Sequence, residues 1–260
     1  MKILIITSNS IRHKYFANKI YENFKDCLIF SENRTIDYKI DSKNTYLIKK
    51  HFDDRLLTEK NFFNGNNEFL GNYLSLKNGE INSPKIIKKI KKFMPDIIVV
   101  FGSSILKDEI IRLVPKGKFL NMHLGISPYY RGSGTNFWPF VNNELEFVGA
   151  TILYIDSGID TGDIITHVRP TFEISDNVHT VGCKVIKKST KIIIKIINEI
   201  NHGKKIKVTK QWKVNNSKYY KIKDFDQNAL EKYFQNLEKG IIKKFIESNN
   251  KNIKLVEIYS

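Results

Sequence analysis

The chain has 260 residues, 41% of them hydrophobic, enough to bury a full core and to make one domain of roughly 200 residues with a short extension. Its net charge of +16 and pI of about 9.6 raise nucleic-acid binding as a function class, since arrayed lysines can neutralise phosphates. The excess is mostly lysine interleaved with isoleucine and asparagine throughout, so we expect a solvated, charge-rich surface and no nucleic-acid partner.

The opening MKILIITSNS has only four apolar residues in its run, too short for a secretory core region or a membrane span, so the protein is expected in the cytoplasm without membrane contact. Cys27 and Cys183 are too few and too isolated for a disulfide framework or a metal site. They are expected as buried small hydrophobes, and no metal is expected.

In chain order, Lys2 to Thr7 reads as a strand, His13 to Phe24 as a helix by its apolar spacing, and Cys27 to Phe30 as a second strand. Residues 37 to 82 carry little pattern beyond a helix at Phe52 to Phe63 and a break at the Asn/Gly cluster 64 to 67. Between Pro84 and Pro95, lysines 85, 88, 89, 91 and 92 alternate with Ile86, Ile87, Ile90 and Phe93 at helical spacing, which predicts a helix with a solvated face. Asp96 to Phe101 is a β-branched buried strand, Lys107 to Leu113 a helix, Lys118 to His123 a strand, and Asn136 to Asn142 a short helix. Ala150 to Ile155 and Asp163 to Val168 form a hairpin around an aspartate-bearing turn. A long helix, Asn177 to Asn201, ends before Gly203. The alternation predicts an α/β, Rossmann-like, mostly parallel sheet with helices on both faces. It divides into residues 1–203, and a small helical/β extension 204–260 with a helix from Gln227 to Ser248 and a final run Ile253 to Tyr259. The GSGT at 132 to 135 lacks the glycine spacing of a dinucleotide fingerprint and reads as a loop before a helix.

The chemistry concentrates in NMHLGISPYYRG, Asn121 to Gly132, and DSGIDTGD, Asp156 to Asp163. Asn121 and His123 are two apart on one strand, so both side chains share a face at its carboxyl end, where open α/β sheets build sites. Asp160 arrives from the adjacent strand end. An amide, an imidazole and a carboxylate are the groups that move an acyl unit onto an amine: Asn121 can donate to an oxyanion, His123 can move protons, and Asp160 can orient His123 and favour its cation.

Residues 96 to 168 closely resemble the catalytic core of the folate-dependent formyltransferases, the family of the methionyl-tRNA, glycinamide ribonucleotide and sugar-nucleotide N-formyltransferases. The family pattern matches Asn121, His123, Pro128, Tyr130, Arg131 and Gly132, with its late aspartate at Asp160 in IDTGD; the looser likeness covers most of the first 200 residues. One departure is Gly125, where the family usually has serine. The resemblance implies catalysis by Asn121, His123 and Asp160, and 10-formyltetrahydrofolate held largely by main-chain groups of Gly102, Ser104, Ile105, Leu106, Lys107, Ile155, Asp156 and Gly158. Candidate acceptor contacts are Asn9, Ser10, Arg12 and His13, at the start of the first helix where amides receive phosphates, and Arg131, whose guanidinium can grip one.

The expected function is formyl transfer to the primary amine of a small acceptor, a nucleotide-linked amino sugar. This acceptor rests on the modest size of the extension, which also offers a surface for a homodimer. Three alternatives remain open: the methionyl-tRNA enzyme, a folate-binding module without turnover, and hydrolysis of formyltetrahydrofolate.

Overall fold

The computed structural model describes residues 1–33, 45–248 and 253–259. Its elements are β1 (Ile3–Ser8), α1 (Ile11–Asn23), β2 (Cys27–Asn33), α2 (Thr45–Phe62), β3 (Tyr73–Lys77), α3 (Pro84–Phe93), β4 (Ile97–Phe101), α4 (Asp108–Ile111), β5 (Phe119–His123), β6 (Tyr130–Gly132), α5 (Trp138–Asn142), β7 (Ala150–Tyr154), β8 (Ile164–Val168), α6 (Val178–Asn201), β9 (Lys218–Tyr220), α7 (Gln227–Glu238) and α8 (Ile241–Glu247).

Seven strands form one sheet in the order β3-β2-β1-β4-β5-β7-β8. The first five are parallel, and β7 and β8 close the edge as an antiparallel hairpin. Strand alternation sends Ile3, Ile5, Ile29, Val99 and Met122 to one side, against Phe16 and Ile20 of α1 and Ile193 and Ile197 of α6. Leu4, Ile6, Phe30, Val100 and Phe119 go to the other, against Ile86, Ile87 and Ile90 of α3. Both faces are covered, so the central strands are apolar throughout. This is the expected fold class. The chain winds from β1 to β3 in one direction and from β4 to β5 in the other, leaving a crevice at the carboxyl ends of β1 and β4.

Local chemistry explains the element ends. Pro84 occupies the first turn of α3, and its five lysines are exposed while Ile86, Ile87 and Ile90 are buried. Asn177 and Thr180 form a reciprocal cap at the start of α6. Three expectations need correction. The helix anticipated from Gln227 to Ser248 is broken into α7 and α8 at Gly240, whose φ of +72° ends the first and starts the second. Tyr73–Lys77, unread in the sequence, is an edge strand. The run 253–259 forms no strand with a register, yet His167 of β8 donates its backbone N–H to Val256 O at 2.6 Å.

Residues beyond 203 pack onto the first 203. Leu230 and Tyr233 of α7 and Ile241 and Ile242 of α8 share a buried cluster with Tyr130, Phe137, Phe140 and Val141. Strand β9 pairs in parallel with β6, and Tyr220 stacks on Trp138 at 4.0 Å. Among the described residues no helix is long and apolar enough to cross a membrane.

Candidate active site

Phe119, Asn121 and His123 share a face of β5, and the apolar layer ends at Phe119, so the two polar side chains emerge at the sheet's carboxyl edge. The β7–β8 turn folds back over them and brings Asp160 into place. Asn121 Nδ2 donates to Asp160 Oδ1 at 3.3 Å, and His123 Nδ1 lies 3.2 Å from Asp160 Oδ2. His123 and Asp160 side chains are nearly buried, 7% and 12% exposed. One aspartate therefore ties the amide and the imidazole together. The other ring nitrogen, Nε2, lies 3.1 Å from the Tyr130 carbonyl. Both ring nitrogens face oxygen acceptors, and only a ring carrying both protons donates to both.

Two of the groups that hold this arrangement, Gln211 and Thr151, were not among the candidates in the sequence. Asp160 has φ +54°, a left-handed conformation that aspartate tolerates better than most residues. Gln211 Nε2 donates to the carbonyls of Asp160 and Gly162, at 2.7 and 2.9 Å, fixing both sides of that turn. The Gly132 N–H donates to Asp160 Oδ2 at 3.4 Å. Thr151 Oγ1 donates to Gly125 O and accepts from Ser127 N, anchoring the loop after His123. Gln211 lies fifty-one residues from Asp160 with no motif around it. The antiparallel bridge between Thr209 and Ile164, with Trp212 packed on Tyr129 and His167, brings it there.

The residues expected to hold folate lie on two loops at the same edge. Gly102 has φ +75°, and a Cβ there would fall 2.3 Å from His13 Nε2, so glycine is needed for the ring of His13 to pack against the strand end. Ser104 is bound through its N–H and hydroxyl to Glu32, a fully buried carboxylate that also accepts from Gly79 N. Asn82 takes the Ile105 carbonyl and the Lys107 N–H. Leu106, by contrast, makes no main-chain hydrogen bond with the described residues. Ile155 N donates to Phe119 O, and Asp156 accepts from Gly158 N and Thr161 Oγ1.

The expected acceptor residues divide. Asn9 is exposed at the end of β1, and Ser10 caps α1 through its carbonyl. The Arg12 guanidinium is directed at Glu59 of α2 in an ion pair, with Arg55 of α2 also 3.7 Å from Glu59. His13 is buried, its ring 4.7 Å from that of Phe101. Among the described residues, Arg131, on β6 opposite Tyr219, reaches the Ser217 hydroxyl at 3.4 Å, and its buried Nε meets no partner.

The remaining histidines pack or face solvent. His167 is buried, accepting from Val256 N at Nδ1 and donating through Nε2 to Ser127 O, and burial lowers its pKa to about 4. His51 and His179 stand 4.5 Å apart inside an aromatic cluster, and burial lowers His179 to about 4. His202 is exposed at the end of α6. Both cysteines are buried and free, their thiols pushed up to about 12 by burial. No cluster of three or more potential metal ligands occurs among the described residues.

Comparison with known proteins decides the family. The formyl transferase family model matches residues 37–197, a stretch holding Asn121, His123 and Asp160. The chain belongs to the formyl transferase family. Among relatives of this family, the methionyl-tRNA formyltransferase of Desulforamulus reducens is 37% identical over 110 residues, covering 42% of this chain and 34% of the relative. That of a Wolbachia from Drosophila simulans is 25% identical over 65% of the chain and 56% of the relative. The matches thus span about a third to a half of the curated relatives' length. Among solved structures, an N-formyltransferase from Helicobacter canadensis, in complex with folinic acid and dTDP-3-aminofucose, superposes with a TM-score of 0.59 at 21% identity, covering 98% of this chain and 87% of that one. Glycinamide ribonucleotide transformylase 1 from Symbiobacterium toebii gives 0.54 at 13% identity, over 82% and 95%. These likenesses establish the fold of the formyl transferases for this chain.

Proposed function

We propose that the protein transfers a formyl group from 10-formyltetrahydrofolate to the primary amine of a nucleotide-linked amino sugar. The observation that carries the reaction is the sharing of one carboxylate, Asp160, by Asn121 and His123 at the sheet's carboxyl edge. The donor set fits the folate co-substrate: the Leu106 N–H and C=O offer the paired main-chain donor and acceptor that a pterin edge asks for, on a loop braced by Glu32 and Asn82. When bound, the co-substrate supplies the formyl group as an amide-like electrophile.

The residues then divide the work. Asn121 uses one N–H on Asp160 and keeps the second for the formyl oxygen, which gains negative charge as the amine adds. His123 moves the proton from the incoming amine toward the departing nitrogen. Asp160 holds the imidazole in register and offsets its positive charge. No nucleophilic side chain is needed. Near-burial of the His123 and Asp160 side chains keeps water from competing with the amine.

Support for a sugar acceptor comes from the Helicobacter canadensis neighbour, whose complex holds an amino-sugar nucleotide and whose fold matches through the extension. With this reading go a catalytic unit 1–203 with an extension 204–260 packed on β6 and α5, a cytoplasmic location and a homodimer. The sequence relatives favour a second reading, methionyl-tRNA as acceptor. The test is to offer the formyl donor with a panel of amino-sugar nucleotides and, separately, with charged initiator tRNA. A mass gain of one formyl group on a sugar nucleotide supports the first reading. Formylated methionine, with specific tRNA binding that survives physiological salt, replaces it with the second.

A further inference from the structure

At the carboxyl ends of β1 and β2, beside the first half of β3, lies a cavity of about 190 Å³ that the chemistry above does not use. Alternation along β2 builds it: Ile29 closes the apolar layer on the α1 side, and Ser31 and Asn33 follow on the same face. Ser75, the register partner of Ser31, joins from β3, with Asn9 from the end of β1 and the rings of Phe69 and Tyr73. The Ser31 hydroxyl is decisive. It lines this cavity, its residue is only 2% exposed, and among the described residues it has no hydrogen-bond partner. A buried hydroxyl left unpaired costs free energy that a bound polar group would recover.

We propose that this cavity is the nucleobase subsite of the acceptor, an inference that rests on the nucleotide-linked reading above. The lining offers a base an aromatic wall, Phe69 and Tyr73 packed on each other at 5.0 Å between ring centroids, and for its edge the Asn9 amide, the Ser31 hydroxyl and the Asn33–Ser75 pair, in which Nδ2 donates to Oγ at 2.9 Å. It is poorly suited to a phosphate. Its one cation, Lys14, is bound to the Asn67 carbonyl and faces Glu68 at 3.8 Å. Nor is it placed for the sugar or the folate. Three strand spacings separate β2 from β5, about 14 Å at the usual inter-strand distance, more than a single sugar ring can bridge to His123. Leu106 and Ile155, of the loops assigned to folate, pack on the opposite side of the sheet with the α3 cluster. A base joined to its amino sugar through a diphosphate spans the interval, passing the start of α1, where the main-chain N–H groups of Ile11 and Arg12 precede the helical bonding.

The test is direct binding to the full chain, by calorimetry, of UDP, dTDP, ADP and GDP beside pyrophosphate and ribose 5-phosphate. At least one nucleoside diphosphate is expected to bind tenfold or more tightly than pyrophosphate. Ser31→Val and Tyr73→Leu should each weaken it at least tenfold while folinic acid binding stays unchanged. Should Ser31→Val fail to fold, Asn9→Ala, at an exposed position, is expected to weaken the same nucleotide several-fold. Nucleoside diphosphates binding no better than pyrophosphate, or with equal affinity in every folded variant, would overturn the proposal. The two readings separate cleanly. Formylation of an amino-sugar nucleotide with KM unchanged in Tyr73→Leu defeats the subsite alone, whereas Ser31-dependent nucleotide binding without formyl transfer defeats the activity alone.

Discussion

A Cβ built on Gly125 would lie 2.7 Å from Nε2 of His123 and 2.7 Å from Cβ of Thr135, on a backbone with φ +151°. Gly125 therefore sits directly against the imidazole, in a conformation that side chains rarely adopt. The usual family serine at this place cannot be accommodated here without moving His123 away from the Tyr130 carbonyl or displacing Thr135.

Gly125→Ser is accordingly expected to lower kcat at least tenfold and to cost about 1–3 kcal/mol of stability through overpacking. Steady-state kinetics and urea unfolding check both. Full turnover with unchanged stability would show that the loop yields without disturbing the ring.

His123→Ala and Asn121→Ala are each expected to reduce turnover on the order of a hundredfold or more while folinic acid still binds. The pair emerges on one face of β5 and shares Asp160, so the double variant should lose much less than the product of the two single effects. Wild-type turnover in either single variant removes that residue from the mechanism.

Asp160→Asn keeps a residue type that tolerates the left-handed backbone seen at this turn, so the fold should persist. Turnover is expected to fall. The asparagine still reaches Asn121 and the ring but no longer accepts through two carboxylate oxygens, so the imidazole loses its anchor. An unchanged rate would reduce Asp160 to a turn residue.

Acid stability should report on His167. Its pKa in the fold, about 4, lies below the unfolded value near 6.5, so its contribution is complete above pH 6.5 and is lost as pH falls toward 4. The geometry agrees: Nδ1 accepts from Val256 N, and a second proton there would oppose that N–H. Thermal unfolding from pH 7 to 4 should show a steeper loss in wild type than in His167→Gln, with the variant already weaker at pH 7. Parallel curves would contradict the assignment.

Local pattern was enough for the sheet's centre and for the shared strand face of Asn121 and His123. Continuous β-branched runs such as Ile97–Phe101 specify buried strands by themselves, and the two-residue spacing of Asn121 and His123 places them on one face whatever the rest of the chain does. The lysine-rich helix α3 was equally legible, since its apolar and charged residues repeat at helical period. Where the signal was short or weak it failed: Tyr73–Lys77 has an edge strand's mixed composition, and one glycine, Gly240, divides what periodicity joined. The supports of the site could not be read at all. Gln211 reaches Asp160, Tyr220 stacks on Trp138, Asn82 secures the 105–107 loop, and the Ser31 hydroxyl lines a cavity with no partner among the described residues. Each depends on which distant segments the sheet order and the β6–β9 pairing bring together. Sequence periodicity decides which face a side chain takes, because that is set by backbone geometry within a few residues. Only tertiary packing decides what that side chain meets, because its partners are supplied by chain closure over many tens of residues.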